Sequence, residues 1–399
     1  MALVSYILGN CPGCGAQNAF GNIDVYDTRV SLGCSRCTYN ESRPLPPITK
    51  KILYLDQYFF SHAVRGKDPQ FTAAAKLIRE LVGLQLLAVP YSDVHEDETH
   101  QWAGHEQLLE FIKSTSGGHE FLQTYRVELN QLYNAFEAFR QGRPATYVPQ
   151  RDDAFHHKID VWDGYYRIEV GGYHGDVDLI RNLKGQAIDG LVSLFPDWRK
   201  STNTFEQDVE LEHRAAAKGY WDAYLAYFKR VAEGDYMALI DAPMISQVVA
   251  SLMRRFAKDV PQADRIKTVS AFLTSQHFRN TPYHDIQARM YATLKALVKG
   301  GSYMNPQRSI ARLSGFYFDV KHISTYAPYC DAILMDNPMA EIVGRDTVAL
   351  TDRYGVKVFC RNNWGDFIDW LEGLKAGMTD EHKNALRIAY PKMVIPGAT

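Results

Sequence analysis

"CDAILMDNPMA", residues 330–340, decides how the chain is read. Its centre, "AILM", is an unbroken apolar run that begins after Asp331, stops at Asp336 and gives way to "NPMAEIVG", which reads as a helix. A short apolar run without alternation suits a strand buried on both faces, as strands of parallel sheets are. Two earlier runs match it. "ILYL", residues 52–55, ends at Asp56, and "LLAVP" runs into "YSDVHEDE" at residues 91–98, with the helical stretch "FTAAAKLIRELVGLQ" between them. That β-α-β order predicts a parallel sheet with crossover helices.

The same pattern resumes after residue 310, with a helix that includes residues 318–324, then "AILM", the strand "GVKVF" and the closing amphipathic helix "WGDFIDWLEGLKAG". Between the halves, residues 101–309 are mostly helical and rich in aromatics, with apolar residues recurring every three or four positions. The fold class expected is therefore α/β, a parallel sheet split by a large helical insertion. Residues 50–100 and 310–399 make the split domain and 101–309 the insertion.

Ligands of open parallel sheets bind beyond the carboxyl ends of the strands, near the point where strand order reverses. Three strands here end in acids, which predicts that Asp56, Glu98 and Asp336 meet at one sheet edge. Asp319 joins them from "FDVKHIS", where it stands three residues before His322. His95 and Glu98 have the same spacing, behind Ser92 as a helix cap. Four carboxylates crowded in a low dielectric repel one another, and a divalent cation relieves the repulsion. All-oxygen ligation suits Mg²⁺ or Mn²⁺, and such sites handle phosphodiesters.

Four of the six cysteines lie near the start, as Cys11 and Cys14 in one CxxC and Cys34 and Cys37 in another. This spacing suits a closed tetrahedral Zn²⁺ site of structural rather than catalytic kind, on a ribbon spanning residues 1–45. The intervening "NAFGNIDVYDTRVSLG" reads as its hairpin, and the proline-rich residues 41–50 as a linker that closes it. The alternative is a pair of disulfides or a redox pair.

At these residues the sequence resembles the PIN-like nuclease domain. It is most similar to bacterial PIN-like proteins with a Y-S-x-x-H-x-x-[D/E] segment, here Tyr91, Ser92, His95 and Glu98. Their D-x-x-H…C-D…D segment corresponds to Asp319, His322, Cys330, Asp331 and Asp336. The resemblance covers residues 50–100 and 310–375. It implies a PIN-like fold and a metal-dependent endonuclease, more often acting on RNA than DNA, in RNA processing or in a toxin or defence role. Asp56, Glu98, Asp319 and Asp336 would be ligands, with His95 and His322 supporting them. A non-catalytic nucleic-acid- or protein-binding module on the same scaffold is the rival reading. A phosphatase-like hydrolase of small phosphoesters is another.

The remaining signals are blander. Net charge is −2, so no global field advertises a polyanion binder, although a local patch would suffice. No basic leader or long apolar span is present, which gives a cytoplasmic expectation without a membrane partner. A homo-oligomer or an activating protein partner stays open. Glu96 and Asp97 read as solvated first-turn acids, and Asp331 as a turn residue or a ligand in equal measure. His156, His157, Asp160 and Asp163 in "FHHKIDVWD" invite a second metal site but more often face water. Arg254, Arg255, Lys258, Arg265 and Lys267 read as an ordinary solvated face rather than a phosphate patch. "DVWDGYYRIEVGGYHGDVD" suggests a small hairpin.

Overall fold

The computed structural model describes residues 1–102, 104–166 and 177–394. Most of the hairpin suggested within residues 160–178 lies outside them. Two four-stranded sheets organise the described chain, one antiparallel at the N-terminus and one parallel. No helix among the described residues is long and apolar enough to cross a membrane.

The first sheet is a meander of β1 (Tyr6–Gly9), β2 (Phe20–Tyr26), β3 (Arg29–Cys34) and β4 (Asn40–Pro44). The hairpin between the CxxC pairs is β2–β3, as its alternation predicted. The linker expected at residues 41–50 is corrected in part. Its first half is β4, paired with β3 from Gly33↔Asn40 to Arg29↔Pro44. Charged residues alternate there along an edge strand, so propensity alone hid it.

The parallel sheet contains β5 (Lys51–Leu55), β6 (Leu87–Ala88), β7 (Ala332–Leu334) and β8 (Lys357–Phe359), in the order β6-β5-β7-β8. Adjacent residues of β5 and β7 go to opposite faces. Ile52, Tyr54 and Ile333 join a core with Phe121, Phe316, Val320 and Tyr326, whereas Leu53, Leu55, Ala332 and Leu334 pack with Phe59, Phe71, Ile78 and Phe367. Helices cover both faces, which explains the unbroken apolar runs.

One covering layer comes from the helical insertion itself. Phe121, Ile286 and Met290 pack into the same core as β5 and β7, so the insertion builds part of the sheet's burial. Its outer part has a separate core around Phe136, Tyr220, Leu252 and Phe272. The ribbon is docked as well. Leu32, Val30 and Cys34 share a core with Trp162 and with Leu386 and Ala389 of a C-terminal helix, Asp380–Ala389. Asn22 Nδ2 donates to Ile388 O at 2.8 Å and to Tyr165 Oη at 2.9 Å.

The outer core of the insertion holds two neutral imidazoles. Burial, with His213 nearby, holds His284 down to about 3. Burial lowers His213 to about 4 against the opposing charges of Asp285 and Glu210, with Arg279 and Arg289 adding to the drop. An unfolded histidine titrates near about 6.5, so the unfolded chain takes up protons first as pH falls. Stability from these two groups is full above about 6.5 and is lost on descent toward about 4. Wild type should therefore lose more melting temperature than His213→Gln between about pH 7.5 and about pH 5, with tryptophan fluorescence as the probe, and equal changes in the two proteins would contradict this account.

Candidate functional site

The sheet order places the reversal point between β5 and β7, because the chain moves from β5 to β6 on one side and later adds β7 on the other. Asp56 follows β5 directly, and Asp336 follows β7 after Met335. Asp56 N donates to Leu334 O at 3.0 Å, which extends the ladder to the residue that carries the carboxylate. Each aspartate is also the N-cap of the next helix, Gln57–Arg65 or Asn337–Val343. Asp336 Oδ1 accepts from Met339 N at 2.9 Å, whereas the Asp56 side chain makes no such capping bond. A strand that ends in aspartate and turns straight into a helix sets the carboxylate at the positive end of the dipole.

The two aspartates flanking "AILM" have different duties. Asp331 Oδ2 accepts from Ile52 N at 2.8 Å and Oδ1 from Lys51 Nζ at 2.7 Å, at the start of the strand pair. It registers β7 against β5 at the end opposite Asp336. The sequence reads Asp331 as a turn residue or a ligand, and here its carboxylate holds the Ile52 amide and the Lys51 ammonium.

Three more predicted residues border the same edge. Asp319 and His322, on the helix Phe316–Tyr326, line a narrow cleft with Tyr54, Asp56 and Met335. Its room is about 10 Å³, enough for a water or an ion and far too little for a nucleotide. Gly315 makes space for the Asp319 carboxylate, since a Cβ there would stand 3.0 Å from Oδ2. Glu98, on the helix Asp93–Thr99, is near enough to act on Asp56 through its charge. Burial, then Glu98 and Asp336, push the Asp56 carboxyl up to about 8. Burial also raises Asp336. The carboxylates are nonetheless spread out. Among the described residues, only the four cysteines place three or more ligand atoms all within 4.8 Å of one another.

His95 holds the site together from behind. Its Nδ1 accepts from Ser92 N at 3.1 Å and its Nε2 donates to Leu55 O at 2.8 Å. With both nitrogens committed to backbone, and burial holding the ring down to about 4, it is a neutral positioning residue. It pins the helix bearing Glu98 to the strand bearing Asp56. His95→Ala would leave a buried amide and a buried carbonyl unbonded, at about 1–3 kcal/mol each, and urea denaturation should read the loss. A change within error of zero would contradict the clamp.

Sequence reasoning missed Tyr54. Fully buried under the site, its hydroxyl lies 2.5 Å from His322 Nδ1 and 3.3 Å from Ser92 Oγ. It thereby links three elements that carry predicted site residues. The available signal was an aromatic with a polar tip inside an otherwise aliphatic strand, two residues before the aspartate. Asp93 also escaped notice. Its carboxylate accepts from Thr124 Oγ1 at 2.6 Å and Tyr326 Oη at 2.9 Å, tying the insertion to the helix of Asp319.

The blander expectations resolve locally. Glu96 is half-buried rather than solvated, as burial raises its carboxyl while Lys113 Nζ, 3.8 Å away, opposes the rise. Asp160 accepts from Lys50 N at 2.9 Å, and Asp163 pairs with the buried Lys50 ammonium at 2.9 Å, so "FHHKIDVWD" supplies ion-pair partners. Arg265 donates to three backbone carbonyls, and Arg255 stacks on Tyr133.

The four cysteines form a closed cluster. Cys11 and Cys37 sulfurs stand 3.7 Å apart and those of Cys14 and Cys34 3.9 Å, with all four thiols unbridged. A disulfide would need about 2.05 Å. Zn–S bonds of about 2.3 Å set at tetrahedral angles require sulfurs about 3.8 Å apart, as here. Amides of Gly13, Arg36 and Tyr39 point at the sulfurs of Cys11, Cys34 and Cys37. Burial opposes ionisation of Cys11, but the Cys14 and Gly13 amides bring it down to about 7. The Tyr39 amide favours the Cys37 thiolate, yet burial and the neighbouring sulfurs push that thiol up to about 12. Four such thiols ionise together only around a cation, and the cluster fits a structural Zn²⁺.

Compared with protein-family models, curated proteins and solved structures, the chain has no match. It is an α/β protein with an N-terminal four-cysteine cluster.

Proposed function

We propose that the chain is a metal-dependent nuclease of PIN-like type, hydrolysing phosphodiester bonds, with RNA the preferred substrate over DNA. The observation that carries this reading is the meeting of Asp56 and Asp336 at the reversal point of the parallel sheet, with Glu98 and Asp319 beside them. Burial and mutual repulsion hold Asp56 protonated beyond the usual carboxylate range, which marks a place where a cation would be taken up. The donors are all oxygens, so the set fits Mg²⁺ or Mn²⁺ with several waters retained. Once bound, such an ion supplies an activated hydroxide and neutralises charge developing on the phosphate.

The chain's own groups do the rest. Asp56 and Asp336 bring two carboxyl groups to the ends of adjacent strands, each at a helix N-terminus. His95 fixes the helix of Glu98 against β5, and the Tyr54–His322 contact fixes the helix of Asp319 against the same strand. The cleft admits no nucleotide, so the substrate backbone lies across its mouth. The four-cysteine ribbon would hold Zn²⁺ structurally and stay outside the chemistry.

A second reading, a non-catalytic binding module on the same scaffold, is favoured by the wide spacing of the carboxylates relative to the cysteine cluster. Metal binding and cleavage separate the two. With Mn²⁺ or Mg²⁺ the purified protein should cleave single-stranded or structured RNA, and EDTA should stop it. Failure to bind Mn²⁺ or to cleave RNA or single-stranded DNA would favour the binding module.

A further inference from the structure

Large apolar side chains are exposed together at one end of the insertion. On the helix Phe205–Ala232 they are Leu225 and Phe228, and just beyond it Tyr236, Met237, Leu239 and Ile240, each between 57% and 80% exposed. Arg230 ties the corner at residues 235–241 to the end of that helix, because its guanidinium pairs with Asp235 at 2.7 Å and Asp241 at 2.9 Å. Six such side chains offer on the order of 800 Å², the share each partner gives to a standard protein interface. Patches of this size on a soluble chain mark an interaction site.

The charges around the patch select its occupant. Lys218, Asp222, Leu225, Lys229 and Glu233 are spaced by three or four residues and form one stripe. Lys218 pairs with Asp222, and Lys229 lies 3.8 Å from Glu233, so the stripe is neutral and attracts neither nucleic acid nor an anionic bilayer. Its order is also self-complementary. Lys218 and Glu233, and likewise Asp222 and Lys229, are symmetric about the midpoint between Leu225 and Ala226. An identical helix laid antiparallel across that midpoint sets every lysine against an acid and Leu225 against the axis.

We propose that this face is an isologous homodimer interface, with a second copy of the chain bound across a two-fold axis at Leu225–Ala226. Interfaces of this kind place one patch on itself, so a charge pattern must match its own reverse. The apolar corner at Tyr236–Ile240 then lies over the N-terminal half of the other copy's helix, where Leu211 is also exposed. The proposal is independent of the nuclease reading.

Sedimentation velocity on the full chain tests it. The wild type should sediment at twice the 45.3 kDa chain mass. Leu225→Glu should raise the dimer Kd by at least about 30-fold, the size of a hot-spot loss, with an unchanged far-ultraviolet circular dichroism spectrum because the residue is exposed. Lys229→Asp should weaken the dimer, and adding Asp222→Lys should restore it, since the swapped pair has the same symmetry. A monomer at all concentrations up to roughly 100 µM overturns the proposal. A dimer that survives Leu225→Glu overturns it too, as does a swap that fails to restore. A monomeric wild type that binds neutral phosphatidylcholine vesicles through Leu225 would give the patch to a membrane instead.

Discussion

Asp56→Asn should abolish metal-dependent cleavage while leaving the fold intact or firmer. The substitution keeps the shape of the side chain and removes an anionic donor from the centre of the acidic edge. Loss of a direct ligand should exceed the 10- to 100-fold or so typical of supporting residues. Asp336→Asn should behave alike, although its amide oxygen can still cap the helix at Met339. His322→Ala should fall in the supporting range of about 10- to 100-fold, and Glu96→Gln should keep most activity because that side chain faces Lys113.

The stability arm has a definite sign. A carboxyl pushed up to about 8 in the folded chain, against about 3.9 when unfolded, binds its proton more tightly when folded. Its contribution is fullest below about 4 and is lost as pH rises through about 8. In EDTA at neutral pH the asparagine variant should therefore melt at the same temperature as wild type or above it. Equal cleavage by variant and wild type would place the activity elsewhere. A variant that unfolds would mean that Asp56 is structural.

The second large effect is expected from Cys14→Ser. Purified wild type should contain about one zinc per chain, and the variant should lose it. Structural zinc supplies about 10–16 kcal/mol of apparent binding energy, as much as or more than a whole domain's net stability. The ribbon should then unfold, and the damage should spread to the helix Asp380–Ala389, whose Leu386 and Ala389 share the ribbon's core. Hydrogen exchange should report lost protection in both segments. Protection lost in the ribbon alone would mean that its contacts with that helix contribute little. Zinc-free wild type with titratable disulfides would reverse the metal assignment.

Much of the fold was legible because its signals are local. Parallel strands buried on both faces must be apolar throughout, so "ILYL" and "AILM" declare themselves. A CxxC pair makes a knuckle within a few residues, and two of them with a hairpin between describe the four-cysteine cluster. Asp56 and Asp336 were visible for the same reason, as each is followed at once by a helix, whereas Glu98 lies within the helix Asp93–Thr99, ten residues beyond β6. β4 was not, since a charged edge strand has no pattern of its own until β3 pairs with it.

What the tertiary structure decided concerns pairing across long stretches of chain. Asp331 and Asp336 are alike in sequence. Only the register of β7 on β5 gives one to the Ile52 amide and the other to the reversal point. Tyr54 becomes part of the site because His322 arrives beside it, 268 residues later in the chain. His95 and Glu98 share a helix, yet the Leu55 carbonyl commits the imidazole to holding rather than reacting. Sequence determines which elements form and where charge can collect. Which charges meet, and which are spent on the backbone, depends on contacts that exist only once the sheet has closed.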